Sequence, residues 1–341
     1  MTGDFLAHSA KNGCPAQTYE SHIRGVYEQA LEYAMEAGHY SAKGKEILVN
    51  TVKRSALLHD IGKLDSENQE VLHDLNNSQH HLPINHVDAG SAILKSKEDL
   101  YAALIVYSHH KGLPNLEEEF HRQEKEIFRD QSLETRVHTN AILNELLCCH
   151  ETFFPVQIAE KIQTYEGNQN VFFRMALSCL ADADHTDTAM AYQQVPRKQN
   201  LCQLRAEERL IALDRYVSGF GGSDERSRLR HEMYDACRLA ESKGGFSVCD
   251  SPVGSGKTTA VMAHLLQQAI LRKARHVFVV LPYTSIIQQS VDVYRKALVL
   301  PGENPEDVVA ELHSRADFQE YETRYLTSLW RAPIIVTTAV S

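Results

Sequence analysis

Leu57-Leu58-His59-Asp60-Ile61-Gly62-Lys63 closes a stretch in which Ile47, Leu48, Thr51, Val52, Ser55 and Leu58 recur at helical spacing. Neighbours on a helix point about 100° apart, so His59 and Asp60 can address two adjacent metal positions from one turn. Lys63 lies four residues after His59 and shares its face, where it can meet a phosphate oxygen. A lone His-Asp pair has a plainer explanation, since the helix dipole favours a histidine at a C-terminus. The string His-Asp-Ile-Gly-Lys is much rarer. Working outward, Ile23, Val26, Ala30, Leu31 and Ala34 repeat at the same spacing, and further helical stretches run near 85–110, 133–150 and 168–184. Gly112 and Pro114 stop the first of these. Residues 1–190 are therefore expected to form an all-helical domain. The acidic run 117–119 and the polar segment 121–132 read as a solvated excursion.

The chain holds eighteen histidines, and their positions matter more than their number. His22 opens an apolar face in Ser21-His-Ile-Arg-Gly-Val26, and His86 sits in Asn85-His-Val-Asp-Ala-Gly90. His109-His110 follows Ala103-Leu-Ile-Val-Tyr-Ser108, and Asp182 follows Met175-Ala-Leu-Ser-Cys-Leu-Ala181. Taken singly, each histidine is an ordinary surface or core residue. The order His, His-Asp, His, His-His, Asp is what stands out. Imidazole with carboxylate suits a borderline metal, and carboxylate with water a harder one. Two such ions activate a bridging water and stabilise charge on the attacked and leaving oxygens, as phosphodiester hydrolysis requires. His8, His73, His80, His81, His121, His138, His150 and His231 read as surface residues.

Past about residue 190 the period changes. Gln193, Gln194, Pro196, Arg197 and Lys198 have the composition of a linker, so 191–225 is expected to be linker and connecting helix. In 226–341, Phe246-Ser-Val-Cys, His276-Val-Phe-Val-Val-Leu281 and Ala332-Pro-Ile-Ile-Val-Thr-Thr338 read as strands alternating with helices, which implies a partial RecA-like parallel sheet. Asp250-Ser-Pro-Val-Gly-Ser-Gly-Lys-Thr-Thr259 lies between the first strand and a helix from about Lys257 to Leu271, the context a phosphate loop requires. Gly254, Ser255, Gly256, Lys257, Thr258 and Thr259 are the candidate nucleotide-binding residues. Backbone amides would cradle the β-phosphate, Lys257 would reach the β- and γ-phosphates, and Thr258 would hold Mg²⁺. Ser251 stands where the consensus has its first glycine. Arg226-Ser-Arg-Leu-Arg230 is either an adenine-side element or a basic helix face.

The ordered ligand series over residues 5–190 resembles the HD phosphohydrolase superfamily and, more narrowly, the HD nuclease domain of the type I CRISPR-associated nuclease–helicase. The resemblance implies a metal pair held by His22, His59, Asp60, His86, His109, His110 and Asp182, with His59, Asp60 and Lys63 catalytic. It implies cleavage of single-stranded DNA and partnership with the CRISPR RNA-guided surveillance complex, Cascade. In Leu180-Ala-Asp-Ala-Asp184-His185, Asp184 competes with Asp182; Asp182 is preferred because Leu-Ala-Asp is the family pattern. The metal is left open among Mg, Mn, Ni, Co and Fe. Leu281-Pro-Tyr-Thr-Ser-Ile-Ile-Gln-Gln-Ser290 and Ile335-Val-Thr-Thr338 resemble superfamily 2 helicase motifs Ia and Ib, with ATP and Mg as their cofactor. No acidic Walker B motif precedes Ser341, so strand separation is not expected of this chain. It reads as a truncated product, a fragment, or half of a split protein whose remaining helicase is a separate chain. The competing readings are an HD nucleotide phosphohydrolase with a regulatory phosphate-loop domain, and a noncatalytic docking module.

Composition narrows the class further. Residues 1–190 carry 16 Lys and Arg against 28 Asp and Glu, a net of −12, while the remainder nets +2. An acidic domain binds nucleic acid poorly unless cations or a neighbouring module offset its field. No run approaches the ~20 apolar residues of a membrane span, and the N-terminus has no signal-peptide pattern. Seven cysteines without CxxC spacing imply reduced thiols, and so a cytoplasmic protein.

Overall fold

A computed structural model describes residues 4–11, 13–39, 44–74, 81–115, 128–130, 132–155, 165–194, 202–242, 245–312 and 331–339. The acidic run 117–119, the first part of the expected excursion and linker residues 195–200 lie outside the described residues. The chain divides into two compact units, 1–197 and 198–341.

Among its described residues, the regular structure of the first unit is helical apart from a short antiparallel pair, β1 (Leu6–His8) and β2 (Gln17–Thr18). Its helices are α1 (Tyr19–His39), α2 (Lys45–Leu58), α3 (Ser66–His73), α4 (His86–Ser96), α5 (Leu100–Ser108), α6 (Leu133–Glu151) and α7 (Gln169–Ala191). Local chemistry starts them. The side chains of Asp65, Asn85, Asp99, Ser132 and Asn168 each accept a backbone N–H in the first turn of α3, α4, α5, α6 and α7. One apolar cluster joins Val26, Ala30, Val52, Ala56, Ile105, Phe173, Ala176 and Leu180 from α1, α2, α5 and α7. A second joins Tyr19, Ile23, Leu58, Ile61, Val87, Leu94, Val106 and Leu146. Between α2 and α3 the chain turns through a 3-10 segment, Ile61–Leu64. There a Cβ on Gly62 would lie 2.5 Å from the backbone oxygen of His86, so only glycine lets this turn pack on the start of α4.

Part of the expected excursion is anchored instead. Phe128 is buried, and the backbone N–H groups of Arg129 and Asp130 donate to the Asp88 carboxylate at 2.8 and 2.9 Å. Burial pushes that carboxyl up to about 6, against the lowering effect of those two hydrogen bonds.

The second unit is α/β. Its helices are α8 (Ala206–Ser218), α9 (Glu225–Leu239), α10 (Lys257–Arg272), α11 (Thr284–Leu298) and the short α12 (Pro305–Val308). A parallel sheet has the order β3 (Val277–Leu281), β5 (Ile334–Thr338), β4 (Val309–Leu312), with Val279 opposite Val336 and Glu311 opposite Val336 on the other side. Strand β4 was not anticipated. The expected strand at 246–249 does not form: Phe246 is 97 % exposed and Val248 93 %, so the alternation has no surface to pack on. Helix α8, expected in the connecting region, belongs to the core, where Leu213 shares one apolar cluster with Met262, Leu266, Ile287, Val291, Ile334 and Val336. On the same helix Arg209 is fully buried, and its guanidinium donates to the carbonyls of Gln203, Leu204 and Leu298 and to the Glu303 carboxylate. That saturation is what makes a buried guanidinium tolerable.

Candidate metal centre

Three helix ends and two helix faces bring the polar residues of the first unit together. His22 projects from the first turn of α1, His59 and Asp60 end α2, His86 starts α4, His109 and His110 follow α5, and Asp184 lies on the buried face of α7. Asp60 is the hub. Its Oδ2 lies 3.2 Å from His22 Nε2 and 3.6 Å from His59 Nε2, and its Oδ1 lies 3.4 Å from His86 Nε2 and 3.9 Å from His109 Nε2. Asp184 Oδ1 approaches His22 Nε2 at 3.4 Å and His59 Nε2 at 3.9 Å.

Two groups of potential ligands result, His22–His59–Asp60–Asp184 and Asp60–His86–His109–His110, which share Asp60. A third, His110–Asp184–His185, extends from the same cluster to the surface. Each of the first two has its donor atoms within 4.8 Å of one another. Donors around one ion at bond lengths near 2.1 Å stand about 3.3 Å apart, so the spacing suits coordination.

The ring tautomers are set from outside the cluster. His59 Nδ1 donates to the Ala56 carbonyl at 2.9 Å and His109 Nδ1 to the Val106 carbonyl at 2.6 Å, which leaves each Nε2 with a lone pair facing inward. His22 Nδ1 meets Asp187 Oδ2 at 2.8 Å. The Nε2 atoms of His59 and His109 and the Oδ1 of Asp60 are buried without a hydrogen bond. Buried polar atoms are ordinarily satisfied, so these three, converging on one point, have the chemistry that would hold a cation.

Electrostatics prepares the same donor set. Burial pushes the Asp60 carboxyl up, but Lys63, whose Nζ lies 2.6 Å from Oδ2, and the histidines hold it well below the usual carboxylate range. Asp184 is likewise held down against burial by its hydrogen bond with His22. Burial depresses His109 well below the ordinary imidazole value and His86 to about 3, so both are neutral. His22 is the exception. Burial lowers it, yet hydrogen bonds to Asp184, Asp187 and Asp60 together raise it to about 10.

Of the residues singled out from sequence, His22, His59, Asp60, His86, His109 and His110 come together. Asp182 does not. Two helical residues differ by about 200°, so the face that carries Asp184 inward turns Asp182 away, and Asp184 takes the place expected of Asp182. Lys63 contacts Asp60 and is itself buried, rather than lying on an open His59 face. Sequence reasoning missed Asp187, His185 and the supporting role of two other histidines. His8 packs edge-on against the His22 ring at 4.7 Å, and His150 is fully buried with its Nδ1 2.9 Å from the Tyr19 hydroxyl, so neither is a surface residue. His73 and His81 are exposed as expected, while His80 and His121 lie outside the described residues. A Cβ on Gly25 would fall 1.9 Å from Asp187 Oδ1, so the glycine on α1 is what admits the carboxylate to His22.

In the second unit, Gly254 and Gly256 have φ of +84° and +85°, and the loop they shape runs into the N-terminus of α10. Lys257 Nζ donates to the carbonyls of Ser251 and Pro252 at 2.6 and 2.8 Å, and Ser251 Oγ donates to Ser255 Oγ at 2.6 Å. Thr259 Oγ1 donates to the Gly256 carbonyl, and the Thr258 carbonyl accepts from the Tyr294 hydroxyl.

Among the described residues, no helix is long and apolar enough to cross a membrane. No curated protein matches the chain significantly. Among solved structures, the crystal structure of T. fusca Cas3 shares 15 % identity at a TM-score of 0.47, with 98 % of this chain and 43 % of that chain covered. The T. fusca Cas3-ADP structure shares 14 % at 0.47 and the Cas3-ATP structure 15 % at 0.46, with the same coverage. The chain thus spans 43 % of the length of these structures. The family model described as HD domain matches residues 19–142, the span that supplies His22, His59, Asp60, His86, His109 and His110.

Proposed function

We propose that residues 1–190 form a metal-dependent phosphodiesterase that cuts single-stranded DNA, and that the phosphate loop of the second unit binds ATP with Mg²⁺. The observation that carries the first reading is the convergence of the Nε2 atoms of His22, His59, His86 and His109 on the two oxygens of an ionised Asp60. Two divalent ions held there would activate a water and take up charge on the attacked and leaving oxygens. The chain's own residues do the rest. Asp60 offers one oxygen to each group, Lys63 keeps it ionised, and the backbone carbonyls of Ala56 and Val106 fix the rings of His59 and His109. His110 and His185 are exposed, and this rim is where a phosphodiester would enter. Single-stranded DNA as substrate and Cascade as partner rest on the resemblance of the ordered ligand series. The nucleotide reading rests on the two left-handed glycines and on Lys257 at a helix start.

The deciding assay supplies Mg, Mn, Fe, Co and Ni singly to the purified chain with circular single-stranded DNA and, separately, with nucleoside triphosphates. Degradation of the circle with at least one metal is the expected result. Hydrolysis of the nucleotides alone would mark a nucleotide phosphohydrolase, and inertness towards both a docking module.

Two properties of the centre follow. Asp187→Asn should weaken metal binding by about 10–100-fold, measured by calorimetry, because the neutral amide oxygen can still accept from His22 Nδ1–H but lacks the carboxylate charge that supports its basicity. Unchanged affinity in this variant would remove Asp187 from the site. Metal affinity should also depend on pH through His22. Its pKa of about 10 keeps it protonated between pH 6 and 8, so binding must expel that proton. Affinity should therefore rise about tenfold per pH unit, with one proton released per site, as calorimetry in buffers of different ionisation enthalpy can count. His86 and His109, already neutral there, add nothing to the slope.

A further inference from the structure

We propose that Cys237 and Cys249 form a thiol–disulfide latch on the phosphate loop, with a small-molecule disulfide such as oxidised glutathione as its oxidant. The inference rests on the nucleotide reading of that loop. Cys237 lies near the end of α9, and Cys249 lies directly before Asp250 at the entrance to the loop, yet their Sγ atoms stand only 4.0 Å apart. A disulfide needs about 2.05 Å, a closure within reach of side-chain rotation and a small shift of the exposed segment.

The chemistry balances. Cys249 is the exposed partner, so its thiolate attacks the glutathione disulfide and expels one glutathione thiolate. The Cys237 thiolate then attacks the Cys249 sulfur of the mixed disulfide and expels the second. Two cysteine thiols are oxidised, one small disulfide is reduced to two thiols, and the two protons end on the glutathione sulfurs.

What the bond would hold in place is already visible. Helix α9 grips the loop through Arg230, whose Nε donates to the Gly254 carbonyl at 2.9 Å. Arg226 on the same helix has Nη2 2.9 Å from where a Cβ on Gly254 would sit. In this arrangement the Lys257 ammonium is spent on the carbonyls of Ser251 and Pro252, and residues 246–249 lie off the sheet with Phe246 and Val248 bare. A phosphate loop works when a strand feeds it and its lysine faces the ligand. A bond from Cys249 to α9 ties down the feeding segment, so it cannot pleat against a strand, and keeps the lysine folded onto its own loop. Reduction frees both.

The test uses the full chain, held in dithiothreitol or equilibrated with oxidised glutathione, with the cross-link mapped by mass spectrometry and binding of a fluorescent ATP analogue titrated. Oxidation should join Cys237 to Cys249 and weaken binding by at least about tenfold, and dithiothreitol should restore it. Cys237→Ser should bind as the reduced chain does under both conditions. A mapped cross-link with unchanged affinity, or no cross-link at all, overturns the latch while leaving nucleotide binding intact. Lys257→Ala is the control for the site: if the reduced chain does not bind the analogue, or binds it equally well without Lys257, the nucleotide reading fails and the latch with it.

Discussion

Asp60→Ala is expected to lower metal-dependent cleavage of circular single-stranded DNA by on the order of 10³-fold or more. The size follows from what one carboxylate does. Its two oxygens face His22 and His59 on one side and His86 and His109 on the other, so its loss removes a ligand from both groups at once. A metal clamp is worth several kcal/mol of transition-state stabilisation, and each 1.36 kcal/mol is about a decade in rate. The side chain also balances Lys63, which is buried, so alanine leaves that ammonium without its partner at 2.6 Å. Some of the loss could therefore be instability, and Asp60→Asn, which keeps shape, together with circular dichroism separates the two. The folded asparagine variant should still lose cleavage and should bind metal far more weakly by calorimetry. Full activity in a folded Asp60→Asn chain would remove the centre from the proposed mechanism.

Much of this candidate centre is legible in the sequence because the residues that converge on it sit at helix ends, where a local string announces them. His59-Asp60 follows an amphipathic run, Asn85 caps the helix that His86 begins, and His109-His110 follow an apolar stretch. The parts that were not read correctly are those fixed by packing. A motif pattern favoured Asp182, whereas the buried stripe Phe173, Ala176, Leu180, Ala183 continues at helical spacing into Asp184 and Asp187. That periodicity was available and would have selected the carboxylate that meets His22, and its neighbour. His8 and His150 carry no such signal, since their burial comes from segments distant in sequence, Tyr19 standing 131 residues from His150. In the second unit, short apolar segments set between helices marked β3 and β5, but 246–249 was read as a strand in the same way and the structure leaves that segment off the sheet. Local β pattern states what a segment could bury, and a neighbouring strand decides whether it does.

The two aspartates of α7 offer the sharpest discrimination between motif and geometry. Asp184→Ala should cut cleavage by roughly 10²–10³-fold, because the missing carboxylate both completes the group around His22 and His59 and offsets the charge that a bound cation brings. Asp182→Ala should stay within about twofold of the parent, as substitutions away from a site usually cost under ~0.5 kcal/mol. The pH dependence of metal binding gives a second readout that a structural defect would not imitate. Asp184 is the foremost of the three carboxylates that raise His22 to about 10, so removing it should lower the pH at which His22 gives up its proton and flatten the slope of affinity against pH. Asp182→Ala should leave that slope as it is. If Asp182→Ala abolished cleavage while Asp184→Ala retained both activity and slope, the motif pattern would have been the better guide and the register of α7 against α1 would have to differ by about half a turn.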